Sequence, residues 1–480
     1  MRKLILLIAL VPAIAAGQAR QGSSVPWKQR LPGRNTQKLN DVLKLFGLGA
    51  DQFARLNQND SLSPSDQGLI EQLLFRLPNI SLGVVERSMQ SWPTAKQWKE
   101  SPQQYAGQVF SVSGTLTRLT RQELSANAQT SFQYRYYYSA HIKTPSGVVT
   151  VLTRTVPLAF KDGSVTGQNV QASAVFTKIV KGPGHNQPLL VSSRLGWLPE
   201  SPIDKLNVTA DLVTLARIGF DIGLLDHLRT RNRTRGIGGK ERESFYQLLS
   251  RLSQNAEMIR DAANKPQLAA ILQQPETQQG RIFRFAGNLR RITKVVVNDA
   301  DVRDRFKLTQ YYQLDVFISL GKRSIRLGSK KDDPVIRTQF PMTFCVMNVP
   351  ESLRTLADKA ADDASFTMNE PVQLNAVFFK LWMFNSSFMD RYATKRADGS
   401  VPPQLGPLLL GTNLVHLKRE DGGSGQITAW IIGGSGTVVL AVICFILWRM
   451  GRRDREIDRE LSKKRFRLED PDKLNDLDTM

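Results

Sequence analysis

The sequence predicts an α+β protein in which one unit, a helical preface followed by a small five-stranded β-barrel, is used twice and followed by one transmembrane helix. Three observations predict it. The 480 residues carry an internal match in constant order, each copy of the match is preceded by apolar residues at helical spacing, and a single long uncharged stretch lies near the C-terminal end. The expected division is 1–16 signal peptide, 17–38 linker, 39–104 first preface, 105–199 first β domain, 208–278 second preface, 279–418 second β domain, 419–426 Gly/Ser linker, 427–448 transmembrane helix and 449–480 basic tail.

The match is searched for first because a missed repeat misreads a whole fold. GQVFSVSGTLTRLT at 107–120 stands against GRIFRFAGNLRRIT at 280–293, with Gly107/Gly280, Phe110/Phe283, Gly114/Gly287 and Leu116/Leu289 in register. VQASAVFTK at 170–178 stands against VQLNAVFFK at 372–380, and Pro188-Leu189-Leu190 against Pro407-Leu408-Leu409. A weaker match upstream pairs Phe46-Gly47 with Ile218-Gly219 and Gln72-Leu73-Leu74 with Gln247-Leu248-Leu249.

In the first preface Leu69, Ile70, Leu73, Leu74 and Leu77 recur three and four residues apart, an amphipathic helix after the N-cap signal Ser63-Pro64-Ser65. These helices are expected to pack on the barrel that follows them. Each β domain opens with a long alternating strand broken by one glycine, Gly114 or Gly287, where a strand bends or bulges. Tyr136–Ile142 with Gly147–Leu152, and Tyr312–Leu320 with Ser324–Leu327, read as hairpins. The second copy adds a helix over Glu351–Ala361, where the first has a short loop at Phe160, and two final strands complete each unit.

Three strands, a connection able to hold a helix, then two strands: this order resembles the OB-fold, across about 95 residues of the first copy and 140 of the second. The chain is thus similar to a tandem OB-fold-like ectodomain of a bacterial single-pass membrane protein. The resemblance implies ligands across the second and third strands. That face would draw on Tyr134, Arg135, Tyr136 and Tyr138 in the first copy and on Tyr311 and Tyr312 in the second, aromatics and arginine suited to stacking on bases or sugars.

The two ends carry targeting signals. Arg2 and Lys3, the apolar run to Ile14 and the small residues Ala13, Ala15 and Ala16 have the order of a secretory signal peptide. Ile427–Trp448 is uncharged and is followed by Arg449, Arg452, Arg453 and Arg455, which orients the tail to the cytoplasm. Ala429, Gly433, Thr437 and Ala441 recur every fourth residue, a small-residue face for a homodimer. The expected place is the cytoplasmic (inner) membrane, with the ectodomain periplasmic or extracellular.

Net charge is +22, from 65 Lys and Arg against 43 Asp and Glu. Two loops concentrate it, Arg229, Arg231, Arg233 and Arg235 in one and Lys322, Arg323, Arg326, Lys330 and Lys331 in the other; Arg231 and Arg233 join the candidate ligand residues. Such loops suit an acidic partner. Catalytic chemistry is thinly represented: four histidines lie far apart in sequence, Cys345 sits in an apolar run, and the Asn298, Asp299, Asp301 and Asp304 cluster reads as a hairpin turn. No cofactor or metal is expected. The reading is a non-enzymatic membrane-anchored binding or scaffold protein of the cell envelope. Its alternatives are a receptor for nucleic acid or anionic glycan and an uncharacterised envelope enzyme.

Overall fold

The computed structural model describes residues 38–417 apart from 57–60, 163–164, 182–185, 328–332, 363–367 and 396–397. The expected signal peptide, the 419–426 linker, the 427–448 span with Ala429, Gly433, Thr437 and Ala441, and the tail lie outside the described residues. So do Lys330 and Lys331. Among the described residues no helix is long and apolar enough to cross a membrane.

The first preface contains α1 (Leu39–Leu45), α2 (Pro64–Arg76) and α3 (Leu82–Arg87). Ser63 caps α2 as its sequence predicts: its hydroxyl accepts from the Asp66 N–H, and the Asp66 carboxylate accepts from the Ser63 N–H. Then come β1 (Val109–Glu123), β2 (Tyr136–Thr144), β3 (Gly147–Thr153), β4 (Asn169–Lys181) and β5 (Asn186–Ser192). β1 pairs with β2 and β2 with β3 antiparallel, β3 with β5 parallel, β5 with β4 antiparallel, and β4 returns to β1. The sheet therefore closes into a five-stranded barrel in OB-like order.

The second preface holds α4 (Ala210–Arg217), the two-residue strand β6 (Thr234–Arg235), α5 (Arg242–Gln254) and α6 (Ala256–Ala262). After it run β7 (Ile282–Val296), α7 (Ala300–Phe306), β8 (Gln310–Ser319), β9 (Gln339–Val346), α8 (Glu351–Asp362), β10 (Glu370–Phe384), α9 (Ser387–Tyr392) and β11 (Gln404–His416). β7, β8, β9, β11 and β10 close by the same sequence of pairings, again with the third and fifth strands parallel.

Two expectations fail here. The partner of β8 is Gln339–Val346, whereas Ile325–Arg326 pairs only with Val335–Ile336. β9 sends Phe340, Met342, Phe344 and Val346 into the barrel interior, far more apolar surface than the Ser324–Leu327 segment offers. Asp299 makes no hairpin turn; its side chain accepts from the Asp301 N–H and caps α7.

The glycines at the strand bends answer to crowding. A Cβ on Gly114 would stand 2.3 Å from the Lys143 carbonyl oxygen, and one on Gly287 2.6 Å from that of Phe317. Gly107 and Gly280, where each barrel begins, have φ of 82° and 80°, a left-handed backbone that glycine adopts without cost.

Each preface covers the outer face of its barrel. Ile70, Leu73 and Leu74 of α2 join Val175, Leu189 and Val191 in one core, at about 1.5–3 kcal/mol per fully buried side chain. In the second preface Phe245 of α5 lies 5.7 Å from Phe379 and 5.5 Å from Tyr311, ring to ring. This preface does a second job. Its apolar residues share a core with Phe160, Leu195 and Trp197 of the first barrel, so it is the layer through which the two barrels meet. Arg305 of α7 adds a polar tie, bonding Glu86 of α3 at 2.8 and 2.9 Å and Glu243 of α5 at 2.8 and 2.6 Å.

Candidate binding surface

Both barrels bury a lysine where a bulge interrupts the fourth strand. The register shifts between Phe176 and Lys178 in β4, and between Phe378 and Lys380 in β10. The Lys178 ammonium donates to Asp66 Oδ2 at 2.8 Å and to the Ser61 carbonyl at 3.3 Å. The Lys380 ammonium donates to both Glu241 oxygens at 2.9 and 3.0 Å and to Thr234 Oγ1 at 3.0 Å. Burial pulls Lys380 below the ordinary lysine range against the pull of Glu241. Burial pushes Asp66 upward, but Lys178 and Ser63 outweigh it and hold the carboxyl below its ordinary range. With every partner satisfied, these pairs fasten a preface helix to a barrel and leave no free group for chemistry.

The chain segment that brings Glu241 to Lys380 is the arginine-rich loop. Asn232 Oδ1 accepts from the Leu381 N–H at 3.2 Å, the Arg233 N–H donates to the Leu381 carbonyl at 2.9 Å, and β6 pairs parallel with β10 at Trp382 and Met383. The loop is thus a short extra strand on the second barrel. Arg229 is tied to Asp226 at 3.3 Å, Arg231 stands 3.7 Å from Glu241, and Arg242 lies 2.7 Å from Asp299. Arg233 and Arg235 are exposed, and among the described residues neither guanidinium has an ion pair or hydrogen bond. Arg233 also holds φ at +64°, a left-handed conformation costing a non-glycine residue about 1 kcal/mol.

Aromatic residues lie at the end of β10 and on the helix that follows it. Trp382 and Phe384 continue β10 beside the strap with ring centres 5.8 Å apart, and Phe388 and Tyr392 of α9 are 5.0 Å apart. Tyr392 is 64% exposed. Trp382 Nε1, Gln404 Nε2 and Gln279 Oε1 are buried there without a hydrogen-bond partner among the described residues. The strap and the neighbouring Trp382 offer cations and a ring face together. Of these residues, only Arg231 and Arg233 are foreseen as ligand contacts from sequence; Trp382 and Phe384 extend β10 beyond the matched run, and Phe388 and Tyr392 lie on α9, which has no counterpart in the first barrel.

The tyrosine-rich strands are placed differently. Tyr134 is buried under α2, its hydroxyl donating to the Glu71 carbonyl at 2.9 Å and its ring 4.1 Å from the Arg154 guanidinium; burial drives its pKa up. Tyr138 and Tyr312 point into the barrel interiors, and Tyr311 packs against Phe245. Only Arg135 and Tyr136 remain on the surface, with Arg121 4.9 Å from the Tyr136 ring. The two barrels therefore spend most of these tyrosines on packing, as alternation along a strand requires.

Two further features surround the barrels. A groove of about 760 Å³ runs between the first barrel and α4, lined by Lys143, Asn169, Glu200 and Arg217 among others, with the Asn169 amide donating to Glu200 at 2.5 Å. In the second barrel His416 links two residues distant in sequence: its Nδ1 is 3.0 Å from Ser352 Oγ and its Nε2 is 2.9 Å from Glu370 Oε2. Sequence spacing gives no hint of this chain of bonds, since Ser352 and His416 are 64 residues apart. Cys345, expected to be structural, is buried, and burial raises its thiol pKa.

No protein-family model matches the chain, and no curated protein matches it. Solved structures overlay on it loosely. They include a Plasmodium falciparum SSB complex with ssDNA (8% identity, 28% of this chain and 94% of that one, TM-score 0.15). A single-stranded DNA binding protein from Thermus aquaticus gives 10% identity, 66% and 96% coverage and a TM-score of 0.14. A Replication Protein A heterotrimer bound to ssDNA gives 10% identity, 71% and 72% coverage and 0.17. Overlays this loose carry no argument, and the OB-like description rests on the strand pairings alone.

Proposed function

We propose that this is a membrane-anchored, extracytoplasmic binding protein of the cell envelope in which one OB-like unit, duplicated, forms a single platform with its ligand surface on the second barrel. The duplication is supported by the shared order of pairings, the bulges at Lys178 and Lys380 and the left-handed Gly107 and Gly280. The anchor is supported by the uncharged 427–448 stretch and its arginine flank. One observation carries the choice of ligand class: Arg233 and Arg235 stand exposed, without an ion pair or hydrogen bond among the described residues, on the strand that pairs with Trp382 and Met383, so a polyanion is favoured over a neutral partner. The test is a titration of the full chain in neutral detergent with single-stranded DNA, anionic glycans and neutral glycans across a salt series. Binding that weakens steeply with salt supports a polyanion; no binding to any of the three turns the reading to a protein scaffold.

A second reading, an envelope hydrolase, is favoured by the Ser352–His416–Glu370 chain, in which a hydroxyl, an imidazole and a carboxylate lie in hydrogen-bonding sequence. Ser352 sits in the first turn of α8, shortly after β9 ends at Val346. Labelling of the intact protein by a fluorophosphonate, abolished by Ser352→Ala, would establish this reading; absence of labelling would remove it.

A further inference from the structure

Arg233 occupies a conformation that disfavours any side chain, yet its side chain does nothing for the fold. Its φ is +64°, its backbone N–H serves the Leu381 carbonyl as any residue's would, and its guanidinium has no partner among the described residues. Glycine would fit there without strain. Strain kept for a group that the fold leaves idle belongs to a contact the fold itself does not contain. Arg235, the next residue but one, is likewise exposed and unpaired, and the pairing of Thr234 and Arg235 with Trp382 and Met383 fixes both arginines along one edge of the second barrel.

We infer that the Arg231–Arg235 strap is the ligand-contacting edge of the protein and that its ligand is an acidic glycan strand carrying carboxylates. The inference rests on the polyanion reading above and narrows it. Guanidinium groups grip carboxylates in forked pairs, and α-carbons two residues apart along a strand stand roughly 7 Å apart, which lets two long side chains reach successive charged units of an extended polymer. A glycan is favoured over nucleic acid by the aromatic side chains. Trp382, Phe384 and Phe388 are each partly buried and only Tyr392 is more than half exposed, too few free rings for stacking at every base. The nearest carboxylates leave the edge positive. Glu241 is engaged by Lys380 and Arg231 and Asp226 by Arg229, so of these acids only Glu276, which accepts from the neutral Asn232 amide, sets a negative charge against the arginines.

The experiment uses the full-length protein in neutral detergent, with polygalacturonate, neutral dextran and an oligothymidylate as probes, and compares wild type with Arg233→Gly and Arg235→Ala. Arg233→Gly should melt at or above the wild-type temperature while weakening polygalacturonate binding by about threefold to tenfold and flattening its salt dependence. Arg235→Ala, which removes no fold contact, should weaken it similarly. Dextran should not bind. Polygalacturonate binding that both variants leave unchanged would overturn the inference while sparing the polyanion reading. Tighter binding of oligothymidylate than of polygalacturonate would overturn the glycan assignment, and no salt-sensitive binding of either polymer would overturn both.

Discussion

Lys380 and Glu241 meet with neither side chain exposed, the ammonium 2.9 Å from one carboxylate oxygen and 3.0 Å from the other. The helix that begins beside Glu241 and the bulge that presents Lys380 are held in one place by this pair. Lys178 and Asp66 repeat the arrangement on the first barrel.

Removing one member strands the other charge in the core. Lys380→Met and Glu241→Leu should each destabilise by about 3–5 kcal/mol, whereas the double variant should recover most of that loss, because an apolar pair of similar size needs no desolvation. Thermal melts of the three proteins check it; a double variant as unstable as the singles would show that the pair positions the strap rather than merely neutralising itself.

Stability should respond to acid in two opposed ways. Burial raises the Asp226 carboxyl above its ordinary 3.8, with the Leu158 N–H and Arg229 pulling the other way. A carboxyl raised in the fold contributes fully below its unfolded value and loses that contribution as pH rises through the folded value. Asp66 is lowered from 3.8, so its contribution is present above the unfolded value and disappears as pH falls through the folded one. Asp226→Asn should therefore gain on wild type as pH rises from acid to neutral. Asp66→Asn should lose most at neutral pH and converge on wild type in strong acid. Melting temperatures across that range decide both.

Gly114 and Gly287 admit no side chain because the next strand's carbonyl oxygen lies where Cβ would be. Alanine at either position should cost about 1–3 kcal/mol, as forced backbone shifts do, and valine more. Unchanged melting of both alanine variants would mean that the strands can part at no cost.

Arg305 is nearly buried between Glu86 and Glu243, so Arg305→Met leaves two carboxylates facing an apolar chain. A loss of about 3 kcal/mol is expected, together with faster amide hydrogen exchange in Leu82–Arg87, the α3 segment that the guanidinium holds.

Much of this architecture is legible in the sequence. Matching glycines and apolar strands in constant order foretold two barrels, because strand register and bends are written in local residue patterns. The third strand of the second barrel is misplaced by sequence because Ser324–Leu327 and Gln339–Val346 both alternate, and the nearer of the two to Leu320 reads as the hairpin partner, whereas only the farther one carries enough apolar surface to fill the barrel. The tyrosines misled for a related reason, since Tyr138 and Tyr312 are aromatic strand formers that pack inward. Lys178 and Lys380 were visible, each closing an apolar run at the same point of the match, but their acids lie 112 and 139 residues away in sequence. The packing of the second preface on both barrels leaves no periodic trace either, because it depends on surfaces brought together only by folding.

The most direct test of the binding surface is arginine footprinting. Phenylglyoxal modification of the full-length protein, read by mass spectrometry with and without polygalacturonate, should show Arg233 and Arg235 modified rapidly when free and protected when the polymer is bound, while Arg118 and Arg121 of the first barrel react alike in both. Protection confined to the first barrel, or absent everywhere although the polymer binds, would contradict a ligand surface on the strap.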